Sequence, residues 1–184
     1  MAPVQVPDPR PLPSEPPALD LLNTQWLASG TPVDLLATPD GTRTWLAAAD
    51  VAGTPGHETR QALITARQAI RDVLTDHGRT AARDRLNAVL GHGRLRLSLG
   101  PGMTPTQALE VDDPAWQPAV TAAANLLDLL DRAPDRIRRC QHPACVLWFY
   151  DTTRSGTRRW CSMATCGNRA KANRHYDRVK RQGS

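Results

Sequence analysis

WCSMATCGNRAKANR, residues 160–174, places two cysteines five positions apart at the head of the most basic part of the chain. Two more precede them, so that Cys140, Cys145, Cys161 and Cys166 follow the pattern C-x4-C-x15-C-x4-C, all within 27 of 184 residues. Four clustered thiols suit a tetrahedral Zn²⁺ site, one ion per chain, with metal–sulfur bonds near ~2.3 Å. The alternatives are reduced structural thiols or disulfides, but in a reducing compartment such a cluster favours a metal. Positions five apart on an ideal helix are separated by roughly 140°. Cys161 should therefore precede a helix and Cys166 lie in or near its first turn. VLWFYD (146–151) has strand character, and the Ser-Gly pair within TTRSGTRRW (152–160) can turn the chain back. That predicts a hairpin between the two cysteine pairs.

Charge divides the chain at the same place. Residues 136–184 hold 12 Lys+Arg against Asp151 and Asp177, a net of +10, whereas residues 1–135 carry a net of −5. A basic module on an acidic body points to a polyanion partner. Arg154, Arg158 and Arg159 fall between the cysteine pairs; Arg169, Lys171, Arg174, Arg178, Lys180 and Arg181 fall on or near the helix. These are the candidate nucleic-acid contacts, since arginine pairs with phosphate and can read guanine. The bland alternative is a solvated helix, or one docked on Asp128, Asp131 and Asp135. Trp148, Phe149, Tyr150 and Trp160 could stack on bases, but aromatics this close to a metal are better read as its small core.

Upstream, residues 1–17 hold seven prolines and read as a disordered, extended tail. Residues 18–134 read as a mainly helical body. ALDLLNTQWLAS (18–29) looks like a first helix, with Leu19, Leu22 and Trp26 on one face. Residues 38–51 read as a turn and a short helix capped near Thr42 or Thr44. The periodicity over 54–78 predicts the strongest helix, stopped at Gly78, and another follows over 80–93. RLRLSLG (94–100) alternates as a half-buried strand does, and 106–113 could return as its hairpin partner. Residues 113–133 read as helix again, closed by Pro134. The fold class is therefore α+β, mainly α, with a small β-hairpin in the body and a hairpin-and-helix zinc finger over 135–184.

RIRRC…C…WFYD…RRWCSMATCGNRAK resembles the CGNR zinc finger, named for the motif found here as Cys166-Gly167-Asn168-Arg169. The body resembles the ABATE domain that precedes that finger in bacterial proteins regarded as stress-induced transcription regulators. LDLLNT at 19–24, DLLATPDG at 34–41 and the helix over 60–74 carry that likeness. The resemblance implies a bacterial DNA-binding protein, with duplex DNA ahead of RNA.

No catalytic residues are expected. His57, His77, His92, His142 and His175 lack a second group at a telling spacing, and no Walker loop or GxSxG motif is present. His142 and Asp151 are the nearest pair, and a loop position explains His142. A zinc-thiolate redox sensor or protein-interaction module is the alternative function. Asn23, Thr24, Arg67 and Arg71 could form an effector pocket for a small anion; the plainer readings are surface salt bridges to Glu58 or Asp72 for the arginines, and capping or buried hydrogen bonds for Asn23. No apolar run approaches the ~18 residues of a membrane span. No secretory signal is visible, so a cytoplasmic, nucleoid-associated protein is expected. One finger buries only about 600–1,000 Å², so a homodimer is expected.

Overall fold

The computed structural model describes residues 8–76 and 78–172. Its elements are α1 (Pro17–Leu22), β1 (Gln25–Ala28), β2 (Thr31–Asp34), α2 (Pro39–Ala48), α3 (His57–Thr75), α4 (Thr80–Leu90), β3 (Gly93–Gly100), β4 (Thr104–Val111), α5 (Gln117–Arg132), β5 (Ile137–Arg139) and β6 (Trp148–Tyr150). The strands form three separate antiparallel pairs, β1–β2, β3–β4 and β5–β6. The architecture is mainly α with β-hairpins. No described helix is long and apolar enough to cross a membrane.

α3 buries Ala62, Leu63, Ala66, Ile70 and Leu74, the positions its helical period places on one face. It packs against α4 and α5, and α1 packs against α5. α5 presents Ala119, Ala122, Ala123 and Leu126 to them; small residues let the helices approach closely. The apolar cluster runs from these helices without a break into Leu147, Trp148, Phe149 and the four cysteines.

The first helix is shorter than its pattern suggests. It ends at Leu22, with Asn23 as C-cap, and Thr24 Oγ1 donates to the Leu21 carbonyl at 2.7 Å. The chain then forms a hairpin in which Ala28 faces Thr31. Ser29 and Gly30 both take left-handed φ, 51° and 87°, the pairing a two-residue turn needs to match strand twist. The next helix is capped by Thr38, not Thr42 or Thr44: its hydroxyl accepts from Gly41 N–H at 3.1 Å, and Pro39 occupies the first turn. Gly41 admits no side chain, because a Cβ there would lie 1.7 Å from the Leu35 carbonyl oxygen. α3 stops at Thr75 with Asp76 as C-cap, so Gly78 does not cap it.

Two further expectations change. Residues 8–16 of the proline-rich stretch are anchored, not free. Asp20 is fully buried in α1 and requires a cation. Arg10, itself buried, pairs with Asp20 and Asp8, and Ser14 N–H donates to Asp20 Oδ2 at 2.9 Å. Residues 1–7 lie outside the described residues. The β3–β4 hairpin forms as the alternation predicts, but it is not half-buried. Leu95, Leu97 and Leu99, all on one face, are 60%, 67% and 58% exposed. Among the described residues, only its base touches the body, where a Cβ at Gly93 would come within 2.5 Å of Val120 Cγ1.

Candidate metal centre

Cys140 directly follows β5, and Cys145 closes a turn in which its N–H donates to the His142 carbonyl at 3.0 Å. Cys140 N–H donates to the Leu147 carbonyl at 2.9 Å. The hairpin expected between the two cysteine pairs is placed differently: β6 pairs back onto β5 and encloses the first pair. The return path after β6 is a loop built on Asp151. Its fully buried carboxylate accepts from Thr153 N–H at 3.0 Å, Thr153 Oγ1 at 2.6 Å and Arg158 N–H at 2.8 Å. Burial alone would raise this carboxyl's pKa, but those hydrogen bonds hold it below the usual carboxylate value. Gly156, at φ 60°, makes the reversal. Cys161 then precedes a π-turn over Met163–Gly167 that carries Cys166, and helical backbone continues through 168–172. Placing Cys161 before the helix and Cys166 at its start agrees with the spacing argument.

The four Sγ atoms lie within 4.8 Å of one another, and all four residues are buried. Cys145 and Cys161 sulfurs are 3.8 Å apart, and those of Cys161 and Cys166 3.6 Å. A tetrahedron with metal–sulfur bonds of ~2.3 Å has edges of roughly 3.8 Å, whereas a disulfide needs ~2.05 Å. Two of the sulfur–sulfur separations match that edge and all lie within 4.8 Å, far beyond disulfide distance, so the cluster is compact enough for one cation to share. A hydrogen bond from Cys161 lowers the Cys145 pKa to about 5. That same bond pushes Cys161 up, and burial raises Cys166 to about 11. A cation binding the four sulfurs would displace thiol protons, so loading is expected to release protons and to weaken as pH falls.

The basic side chains divide into two groups. Arg158 is turned inward and half-buried. Its Nε donates to the Trp160 carbonyl at 2.9 Å, Nη2 donates to the Cys161 carbonyl, and the guanidinium stacks over Phe149 at 4.3 Å. This corrects its reading as a DNA contact: the guanidinium is used to brace the metal loop. Arg159 is exposed but tethered to Gln141 Oε1 at 2.6 Å. Arg154, Arg169 and Lys171 are exposed. Arg174, Arg178, Lys180 and Arg181, with Asn173 and His175, lie outside the described residues. Trp148 and Phe149 are buried, as a small metal-site core requires. His142 is buried beside Cys140 and its Nδ1 accepts from Ala144 N–H at 3.2 Å.

The suggested effector residues are not one pocket. Asn23 is buried, and its amide makes two hydrogen bonds to the Trp148 backbone, each 2.9 Å. Arg67 Nη1 reaches Thr24 Oγ1 at 2.8 Å and Asp34 Oδ1 at 2.6 Å, while Nη2 reaches Asp34 Oδ2 at 2.7 Å. The carboxylate partner is therefore Asp34, not Glu58 or Asp72; Asp72 pairs with Arg85. Asp34 sits 33 residues from Arg67 in the chain, beyond the reach of a helix-face argument. Arg71 alone of the four lines a cavity, between β1–β2, α3 and the cysteine module.

A helical body locked to a four-thiol metal module is the class that this fold and site define. Family comparison agrees with both halves. Residues 15–132 match the ABATE model, described as "Putative stress-induced transcription regulator", and residues 136–179 match the CGNR zinc finger. The chain belongs to the ABATE family and carries a CGNR zinc finger whose four cysteines can bind one metal ion. Both are regulator or zinc-finger types, not enzyme families. A search of curated proteins found no match.

Proposed function

We propose that the protein is a zinc-dependent DNA-binding transcription regulator of the cytoplasm, in which the finger (135–184) contacts duplex DNA and the body (18–134) senses or dimerises. Cys140, Cys145, Cys161 and Cys166 hold the Zn²⁺. The observation that carries this reading is the sulfur cluster at the head of a segment with net charge +10 from residue 136 onward. Exposed Arg154, Arg169 and Lys171, with Arg174, Arg178, Lys180 and Arg181 beyond them in sequence, supply phosphate contacts. The chemistry is recognition without catalysis. Fluorescence anisotropy of the zinc-loaded chain on a mixed-sequence duplex tests it. If about five phosphates are neutralised, the log–log salt slope is expected near −4 to −5. Absence of binding at low salt would move the protein-interaction reading ahead. A redox-sensor role is less favoured, because all four sulfur-bearing residues are buried from an oxidant; zinc release by low-dose peroxide would reverse that order.

Dimerisation through β3–β4 is part of the proposal. An exposed apolar face of Leu95, Leu97, Leu99 and the nearby Met103 is what a self-associating surface looks like. Leu97→Glu is expected to shift the sedimenting species from dimer to monomer and leave the helical circular dichroism at about 25 °C unchanged, since Leu97 contributes little to the core; any fall in melting temperature should reflect lost association alone. A wild-type chain that sediments as a monomer at its highest soluble concentration would end this part of the reading.

A further inference from the structure

The cavity that Arg71 lines is about 490 Å³, within the roughly 300–1,000 Å³ of small-ligand sites. One side comes from the body, with Trp26, Val33 and Asp34 of the first hairpin and Arg71 of α3. The other comes from the finger, with Arg139 and Trp148. Its walls are therefore apolar and aromatic, and its polar groups are dominated by arginine. Asp34 is already spent: both carboxylate oxygens take Arg67, and Oδ2 also accepts from Gln25 Nε2 at 2.8 Å. Among the described residues, neither Arg71 nor Arg139 has a carboxylate within ion-pair distance or a side-chain hydrogen bond.

Arg71 is half-buried. Burial depresses its pKa, and neighbouring Arg67 and Arg139 add to the depression, only partly offset by Asp34 and Asp72. A cation held against like charges without its own counterion is an unfavourable arrangement that an added anion would relieve. Guanidinium pairs best with planar carboxylate or phosphate oxygens. Trp26 and Trp148 would cover a flat apolar body attached to such a group.

We propose that this cavity binds a small aromatic carboxylate, its charge taken by Arg71 and Arg139 and its ring by Trp26 and Trp148. Because body and finger each contribute one arginine and one tryptophan, the ligand would fasten the two together, next to Cys140 and Cys145. That makes it a candidate signal for the regulator, although ligand binding itself is independent of DNA.

The test uses the full zinc-loaded chain without DNA. Benzoate and 2-naphthoate are titrated by calorimetry and by tryptophan fluorescence, beside neutral 2-naphthamide and inorganic phosphate. Saturable one-to-one carboxylate binding is expected, with the amide weaker by about tenfold or more. Arg71→Met and Arg139→Met should each weaken 2-naphthoate by a similar factor. Arg139 is exposed on β5, so its variant reports on the site even if Arg71→Met loses stability. Failure of both carboxylates to bind, equal binding of the amide, or affinity unchanged in Arg139→Met overturns the proposal. Phosphate binding as tightly as 2-naphthoate would also overturn it, by showing that the aromatic walls are not used. None of these outcomes bears on duplex binding, which is measured separately.

Discussion

Removing the metal from the full chain is expected to unfold the cysteine module and leave the helical body standing. Among the described residues, β5 and β6 are three residues each, the module's loops are organised around sulfur and Asp151, and its ties to the body are the Asn23 amide, Glu15 and the apolar contact of Leu147, Trp148 and Phe149. Structural zinc in comparable small sites contributes on the order of 10 kcal/mol, more than its few buried apolar groups could replace. The body has its own core of Leu63, Ile70, Leu126 and Trp45, all essentially inaccessible to solvent. Chelator treatment should therefore preserve most of the helical circular dichroism. It should change the tryptophan emission of Trp148 and Trp160, open the chain beyond residue 136 to protease, and abolish duplex binding. Cys161→Ser should do the same without chelator, since Cys161 lies within 4 Å of both the Cys145 and Cys166 sulfurs. An apo protein with unchanged emission, protease pattern and melting curve would show that the sulfurs are a packed thiol cluster.

The metal module is legible in the sequence because four cysteines within 27 residues are brought together by any compact folding of so short a segment, and a shared cation is what four adjacent thiols bind. α3, α4 and α5 are legible for a different reason: long amphipathic periods average out individual exceptions. The first hairpin is hidden although its signal is present. Ser29-Gly30 sits between TQWLA and TPVDL, but the helical spacing of Leu19, Leu22 and Trp26 outweighs it. The cap of α2 shifts for a similar reason, since Thr38-Pro39-Asp40-Gly41 is itself a start signal four residues before Thr42.

Side-chain roles are illegible where partners are distant in the chain. Asn23 and Trp148 are 125 residues apart and Arg67 and Asp34 are 33 apart, so no local rule could pair them. Arg158 shows the limit of counting charge. It contributes to the +10 of the finger as fully as Arg154 does, yet its guanidinium is committed to backbone carbonyls and the face of Phe149. The alternation in RLRLSLG correctly marks a strand but does not make it half-buried. Period 2 says that two faces differ, and says nothing about whether either is covered.

The polar interruption in LDLLNT also supports a second large effect. Asn23→Ala is expected to destabilise the chain by roughly 2–5 kcal/mol, a fall in melting temperature of about 5–15 °C for a protein of this size. The buried amide acts as one more strand beside β6. Its Nδ2 donates to the Trp148 carbonyl and its Oδ1 accepts from the Trp148 N–H. Alanine strands both backbone groups in a region closed to water, and each costs about 1–3 kcal/mol. Trp148 lies only three residues beyond Cys145, so the loss should loosen the finger more than the body. Protease cleavage after residue 136 should rise before the body melts, and chelators should strip zinc faster. Asn23→Asp separates geometry from charge. It keeps the acceptor for the Trp148 N–H, but it loses the donor and buries a carboxylate with no cation assigned to it, so it should be at least as damaging as alanine. A melting temperature for Asn23→Ala within a degree or two of the parent would mean that water replaces the amide, and that the finger is held to the body by Phe149 and the apolar core alone.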